Sequence, residues 1–400
     1  MNFVNPYEDG WDIPGREGGK AACWAPGTKI MLSDGRLKNV EDVKIGDKLM
    51  GPDWTPRTVL ELHSGIDDMY SINPKIGGEP HIVNSNHIVP IQYRHHNTVI
   101  DTEIKASELM LLSKKKTFKS NYFLKRAGAV EFNKQSLEID PYILGLWLGD
   151  GCTGKSEIVS QDIEIINSIS DYAILHNMDI SIIPDRNVFR VNLKHKSYFS
   201  KNGVKLPKKK NKYANFYQKD ADGYYNEFKK HLNSLGILNK KDIPEKYIYG
   251  SREDRLQLLA GLIDTDGYYD KKDGYFTIVQ TGKRKDLAEK IAFLSRSLGF
   301  RTSLRYNNNK KYGAMCTISI MSGQTEIPTR VKRKQAIYRE SIRGNKLTSA
   351  FDISYVGRGE FYGFGTDGDH LLLHEDFTIT HNSFNQIAAL DLTMANVIGQ

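Results

Sequence analysis

Cysteine is scarce in these 400 residues: Cys23, Cys152 and Cys316 are the only three. They lie far apart and follow no disulfide or metal-finger spacing, which excludes a disulfide scaffold and a cysteine-bound zinc and points to a reducing compartment. Long apolar runs are also missing. No stretch approaches the roughly 18 apolar residues of a membrane span, and the opening MNFVNPYEDGWDIPG is too polar for a signal peptide. The expectation is a cytoplasmic protein, not secreted and with no membrane partner. A hydrophobic share of 39% and a charged share of 26% are those of a globular chain, long enough for two or three domains. Positive charge is what the sequence has in excess. The net charge is +8, gathered at Lys114–Lys116, KLPKKKNKY (205–213), Lys240-Lys241, Lys310-Lys311 and RVKRK (330–334). Most lysine runs are solvated loops, but five such clusters favour a polyanion as partner.

The pattern of the chain changes twice. Residues 1–22 are glycine-rich and polar, without a period. From Cys23 to about Val89 come short strand-like runs with turn signals, including Asp34-Gly35 as a hairpin turn. After Asp140 helices appear. DPYILGLWLGDG (140–151) has an N-cap Asp140, Pro141 at the first helical position and an apolar run that stops at glycine. SREDRLQLLAGLIDTDG (251–267) repeats the plan, with Ser251 as cap and Glu253 and Asp254 at the positive helix end. A strand and a second helix follow each, in SEIVSQDIEIINSISDYAILHNM (156–178) and GYFTIVQTGKRKDLAEKIAFLSRSLGF (274–300). From about Phe351 strand character returns in FDISYVG, FYGFGTD, HLLL and FTIT. The expected fold is multidomain, an all-β domain interrupted by an α+β domain with internal pseudo-two-fold symmetry.

Each repeated helix carries small residues on one face: Gly145 and Gly149 in the first, Ala260, Gly261 and Thr265 in the second. Small residues let helix backbones approach closely. Each helix then ends on an acid, Asp150 or Asp266. The helix dipole disfavours a carboxylate there, and two such acids repel unless a cation lies between them, for which Mg2+ is a fitting hard ion. A single Asp-Gly reads as a helix-ending turn; two on matched helices in a basic domain favour the cation. LLAGLIDTDG (258–267) resembles the signature of the LAGLIDADG homing endonucleases with one substitution in its core, and ILGLWLGDG (143–151) resembles the divergent first copy of single-chain members. The resemblance implies that Asp150 and Asp266 bind Mg2+ and that the domain, as a monomer, cuts double-stranded DNA. It also implies catalytic lysines similar to Lys241, before DIP, and Lys334, within RVKRK; the alternative for each is one more surface charge. The clusters at 205–213 and 330–334 are the expected phosphate contacts.

The strand-like FTIT breaks off at His381-Asn382-Ser383, which alone reads as ordinary turn chemistry. Endonucleases of this kind are commonly inserted in inteins, self-splicing proteins of the Hint fold. CWAPGTKIMLSDGRLKNVEDVKIGDKLMGPD (23–53) resembles the intein N-terminal block, VNSNHIV (83–89) the block with an assisting histidine, and FYGFGTDGDHLLLHEDFTITHNS (361–383) the C-terminal block. The likeness runs to the vacuolar-ATPase inteins of yeast across residues 23–382, without their long extra DNA-recognition region. It implies Cys23 as first nucleophile, His87 as its proton partner, Ser383 as second nucleophile and Asn382 as the residue that cyclises. His370 and His381 would assist the cyclisation, Asn84 stands where most inteins have threonine, and splicing itself needs no cofactor. The implied organisation is an N-terminal host flank at 1–22, Hint segments at 23–136 and 346–382, the endonuclease at 137–345 and a C-terminal host flank at 383–400. The expected function is excision of residues 23–382 with ligation of these flanks (exteins) in cis, and cutting of the intein-free host gene. The alternative is an insert that only binds DNA.

Overall fold

The computed structural model describes residues 22–96, 98–195, 227–311, 313–337 and 346–382. Ser383, nearly all of both flanks and the 205–213 cluster lie outside the described residues.

Two long strands organise the β domain. Pro56–Pro74 and Phe351–Thr366 pair antiparallel from Phe351 opposite Pro74 to Thr366 opposite Val59. Arg57 and Val59, Asp67 and Met69, and Phe351 and Ile353 are buried two residues apart, the period-two pattern of strands with one face on a core, and Ile72 and Phe364 add to that core. The register slips between Tyr355 and Gly357, where Gly357 adopts φ +103°, a conformation natural only to glycine. Lys48–Met50 and His81–Asn84 add to the Pro56–Pro74 strand. A second sheet runs in the order Thr348–Ser349, Tyr122–Lys125, Ile88–His95, Thr98–Lys105. One core joins Trp24, Ile30, Val83 and Leu124 to Phe351, Phe364 and Leu372, so segments from both ends of the chain close a single hydrophobic unit.

The α+β insert departs and returns at neighbouring points, because Thr348 pairs with Lys125 and Ser349 with Leu124. Its two motif helices, Pro141–Asp150 and Arg252–Asp266, start as their caps require. The Asp140 carboxylate accepts the Ile143 N–H at 3.1 Å and the Ser251 hydroxyl accepts the Asp254 N–H at 3.2 Å. Beside them lie a three-stranded sheet (Met178–Asp185, Val188–His195, Glu157–Ser160) and a four-stranded one (Gly267–Asp270, Tyr275–Thr281, Gly313–Ile320, Thr302–Asn309), each with an outer helix, Ile163–Leu175 or Lys285–Ser297.

The motif helices touch backbone to backbone. A Cβ on Gly145 would stand 2.4 Å from the Leu258 carbonyl, one on Gly261 2.2 Å from the Tyr142 carbonyl, and one on Gly149 2.0 Å from Thr265 Oγ1. The small residues are thus a steric condition for bringing the two helix ends together. Gly261→Ala is expected to destabilise the protein by about 3 kcal/mol, the upper part of the usual overpacking cost, since a rigid carbonyl cannot yield to a methyl group. Urea denaturation of the substituted chain measures this; a loss under about 1 kcal/mol would contradict the close approach.

Candidate active sites

Cys23 is fully buried, held by Trp24, which bridges both Tyr362 and Val83. This places the thiol against the Phe351–Thr366 strand. A Cβ built on Gly363 would lie 2.4 Å from Cys23 Sγ, so only glycine leaves room for the nucleophile. The Cys23 N–H donates to Asn84 Oδ1 at 3.0 Å, and the Asn84 N–H donates to the Cys23 carbonyl at 3.1 Å. Burial and then the Asp67 charge push the thiol up to about 12. At neutral pH only on the order of 10⁻⁵ of it is thiolate, so attack depends on a base. His87 has the right state for one. Burial and the neighbouring His374, His81 and His381 hold it well below the usual imidazole range, so the ring is neutral at neutral pH, though its own proton affinity is low. That ring packs edge-on to Trp24 at 5.0 Å, and its Nε2 lies 2.9 Å from Thr380 Oγ1.

Asn382, just past the Ile379–His381 strand, is fully buried against the Phe351–Thr366 strand. Its Nδ2 donates to the Phe364 carbonyl at 3.0 Å and to Thr366 Oγ1 at 3.1 Å, while its backbone N–H donates to the His370 carbonyl at 2.9 Å. Two residues from opposite ends of the chain therefore meet on adjacent positions, Gly363 and Phe364. The His370 and His381 rings lie 5.8 Å apart beside Asn382, with His381 Nε2 3.8 Å from Glu103. Cys23, Asn84, His87, His370, His381 and Asn382 thus gather in one place. Gly363, Thr366 and Thr380 join them although their residue types carry no chemical signal in the sequence.

The second cluster closes the motif helices. Loss of surrounding water by burial and then the charge of Asp266 push the Asp150 carboxyl up to about 6, although part of the residue stays open to solvent. Asp266 Oδ2 accepts Gln280 Nε2 at 2.7 Å. Lys241 Nζ donates to the Gly149 carbonyl at 2.6 Å, and burial lowers it to about 8. Lys334, 4% exposed, donates to the carbonyls of Ile263, Asp264 and Thr265 at 3.0, 2.8 and 2.7 Å. Such last-turn carbonyls have no partner within the helix, and a cation there opposes the negative helix end. Each lysine therefore caps one motif helix, and the surface-charge alternative fails for Lys334. Two mutually repelling carboxylates with hard oxygen donors fit a divalent cation such as Mg2+. Among the described residues no three His, Cys, Asp or Glu side chains converge, so a metal here would complete its shell with water or substrate oxygens.

One expectation is corrected. The 330–334 cluster is not a free phosphate-binding run: Arg330 lies 3.7 Å over the Tyr142 ring, Arg333 binds Asp162 through two bonds of 2.9 and 2.8 Å, and Lys334 is buried. Helix-end carbonyls and a nearby acid claim these cations first. Lys114–Lys116, Lys310 and Lys311 remain exposed. Asp264, inside the motif, had no assigned role. It accepts the Tyr142 hydroxyl at 2.8 Å and the Arg330 N–H at 2.6 Å, and so anchors the segment that delivers Lys334.

The family described as Hom_end-associated Hint matches residues 23–139, and the family described as Homing endonuclease matches residues 242–346. Together these spans exceed half of the chain. The protein is an intein with an inserted homing endonuclease. It is similar to the catalytic V-type proton ATPase subunit of Candida tropicalis, 46% identical over 50 residues, covering 12% of this chain and 5% of that protein. It is also similar to the homothallic switching endonuclease of Saccharomyces cerevisiae, 31% identical over 174 residues, 41% of this chain and 28% of that protein. The chain spans under a third of the length of these curated relatives. A solved structure of the homing endonuclease I-DmoI aligns with a TM-score of 0.31 and 16% identity, covering 46% of this chain and 82% of that one.

The intein's two centres share a wall. Glu79, near the assisting-histidine block, pairs with Arg296 of the Lys285–Ser297 helix at 2.6 Å. Arg126, buried just past the Tyr122–Lys125 strand, donates to the Asp376 carbonyl at 3.0 Å, and Phe293 packs on Phe377 at 5.2 Å. The turn His374–Phe377 between the strands Leu371–Leu373 and Ile379–His381 is therefore held by the insert on one side. On the other, His374 lies 4.4 Å from His81 and 6.1 Å from Trp24.

Gly363→Ala should abolish N-terminal cleavage while leaving the fold intact by circular dichroism, because the added methyl occupies the space of the thiol; normal cleavage would contradict the placement of Cys23. A pH effect follows from His374, which burial and then His81 push down to about 3. Below pH 6.5 the unfolded chain takes up a proton that the folded chain refuses, so stability is lost as pH falls from 6.5 towards 3, by about 1.4 kcal/mol per pH unit for one proton. His374→Gln should flatten the slope of unfolding free energy between pH 7 and 4.5 by about one proton, and an unchanged slope would count against a neutral buried His374.

Proposed function

We propose that this intein removes residues 23–382, joins its flanks, and carries an insert that cuts double-stranded DNA at the uninterrupted host site. The juxtaposition of Cys23 and Asn382 on Gly363 and Phe364 carries the splicing half. Neutral His87 takes the thiol proton as Cys23 Sγ attacks the Ala22 carbonyl carbon. The C–N bond breaks, the proton passes to the Cys23 nitrogen, and a thioester remains. Ser383 Oγ then attacks the thioester and receives the N-terminal segment. Asn382 Nδ2, buried and held at the Phe364 carbonyl, closes on its own carbonyl carbon to a succinimide and frees the Ser383 amine, with His370 and His381 handling protons. An acyl shift from oxygen to nitrogen leaves a peptide bond. Every step is intramolecular, so proximity supplies the rate and no cofactor enters.

The DNA half rests on the paired acids. Asp150 and Asp266 would hold Mg2+, which when bound activates water and stabilises charge on a scissile phosphate. Lys241, lowered to about 8, exchanges a proton readily near neutral pH beside these acids. The switching endonuclease among the relatives and the net charge of +8 support DNA as the partner. Two pseudo-symmetric halves in one chain supply both sides of a DNA site without a second copy.

One experiment tests both halves. The full chain is placed between folded tags, its products are weighed, and the purified intein is given plasmids with the joined and the interrupted host sequence, with and without Mg2+. The expected result is a ligated Ala22–Ser383 product and Mg2+-dependent cutting of the joined plasmid alone, with Asp150→Asn or Asp266→Asn abolishing cutting while ligation continues. Tags released but never joined would refute splicing. DNA bound but uncut by the unaltered protein would leave a binding-only insert.

A further inference from the structure

The nitrogen that leaves in the first splicing step is that of Cys23, and its N–H meets Asn84 Oδ1 at 3.0 Å. A side-chain amide has two ends, and turned over it would present a donor to a donor. Asp67 decides which end faces Cys23. Asn84 Nδ2 lies 3.4 Å from Asp67 Oδ2, an oxygen that also accepts the Ser85 hydroxyl at 2.8 Å, while Asp67 Oδ1 accepts the Asp68 N–H at 2.8 Å. A carboxylate only accepts, so the amide's NH2 must point to Asp67 and its oxygen to Cys23. The strand register makes this contact. Asn84 pairs with Met69 on the Pro56–Pro74 strand, and Asp67, two residues back on the same face, is its diagonal neighbour. Asp67 is 7% exposed and Asn84 fully buried, so water competes little for either group.

We propose that Asp67 is a positioning residue of the first splicing step, acting through Asn84 to hold an acceptor oxygen on the Cys23 nitrogen and to direct negative charge towards it. The inference rests on the splicing reading above. In that step the Sγ–C bond forms, the C–N bond breaks, and the thiol proton moves through His87 to the departing nitrogen, with no other reactant. The nitrogen changes from a planar amide without basicity to an amine that gains positive character. A buried carboxylate relayed through an aligned amide favours that change. The same carboxylate opposes ionisation of the thiol. Neutralising Asp67 therefore helps the nucleophile and harms the leaving group, and the direction of the rate change tells which effect governs.

The test uses the full chain with both Ser383→Ala and Asn382→Ala, which isolates the first step by removing the second nucleophile and the cyclising amide, and follows thiol-induced release of residues 1–22 by intact mass from pH 6 to 9. Asp67→Asn should slow release about tenfold across this range, and should add nothing once Asn84→Ala has removed the relay. Unchanged or faster release, or equal slowing in both backgrounds, would overturn the proposal. C-terminal release in a Cys23→Ala chain should proceed at the same rate with and without Asp67→Asn, which separates the effect from misfolding. If Asp67→Asn does not fold, Asp67→Glu in the Ser383→Ala, Asn382→Ala chain serves instead: it keeps the charge but displaces the carboxylate from Asn84, so release should slow, and an unchanged rate would overturn the proposal. A parent chain that releases nothing with thiol would remove the splicing reading itself.

Discussion

The pairing of Pro56–Pro74 with Phe351–Thr366 is the constraint on which the splicing centre depends. One strand of the pair carries Asp67 and, through Met69, positions Asn84; the other offers Gly363 to the Cys23 thiol and the Phe364 carbonyl to Asn382. Because side chains alternate, a one-residue slip would turn both sets away from each other. The chain between these strands is long, yet the cost of joining them is modest. Closure entropy grows only with the logarithm of loop length, and the insert's own fold returns Thr348 beside Lys125.

The nuclease centre is built against electrostatics rather than with it. Helix packing brings two carboxylates to two negative helix ends, and the raised Asp150 records the strain. Lys241 and Lys334 answer it from the carbonyl side, each bonded to the last turn of one motif helix. Both lysines lose proton affinity in burial, so the capping of a helix end and a lowered pKa are two results of one placement. The symmetry is incomplete: Asp264 anchors the Arg330–Lys334 segment in the second half, and Leu148 stands at the matching point of the first.

Between the centres lies a buried polar wall instead of a flexible hinge. Arg126, Arg296 and Glu79 join the insert to the turn that holds His374, and His374 packs against Trp24 next to the nucleophile. Breaking one partner of such a buried set leaves a charge uncompensated, so the two sites share stability even though they share no side chain.

The sequence by itself determined the parts that repeat or stand at a fixed offset. Both helix caps, the glycine face, the paired acids and the repeated helix-strand-helix order follow from local spacing, because caps and helix periods depend on residues three or four apart. The blocks around Cys23, His87 and Asn382 were legible by resemblance, with Asn84 among them. Only the tertiary structure decided which cations are free and which polar groups act together. Lys334 and Lys332 are neighbours of one charge in the sequence, but one is buried on helix-end carbonyls and the other is exposed. Asp67, Gly363, Thr366 and Thr380 carry no signal of their own: Gly363 and Thr380 act on residues hundreds of positions away, and Asp67 meets Asn84 only through the register of two neighbouring strands. Periodicity reports which face of an element is buried, while the register between distant strands is set by the packing of the whole core.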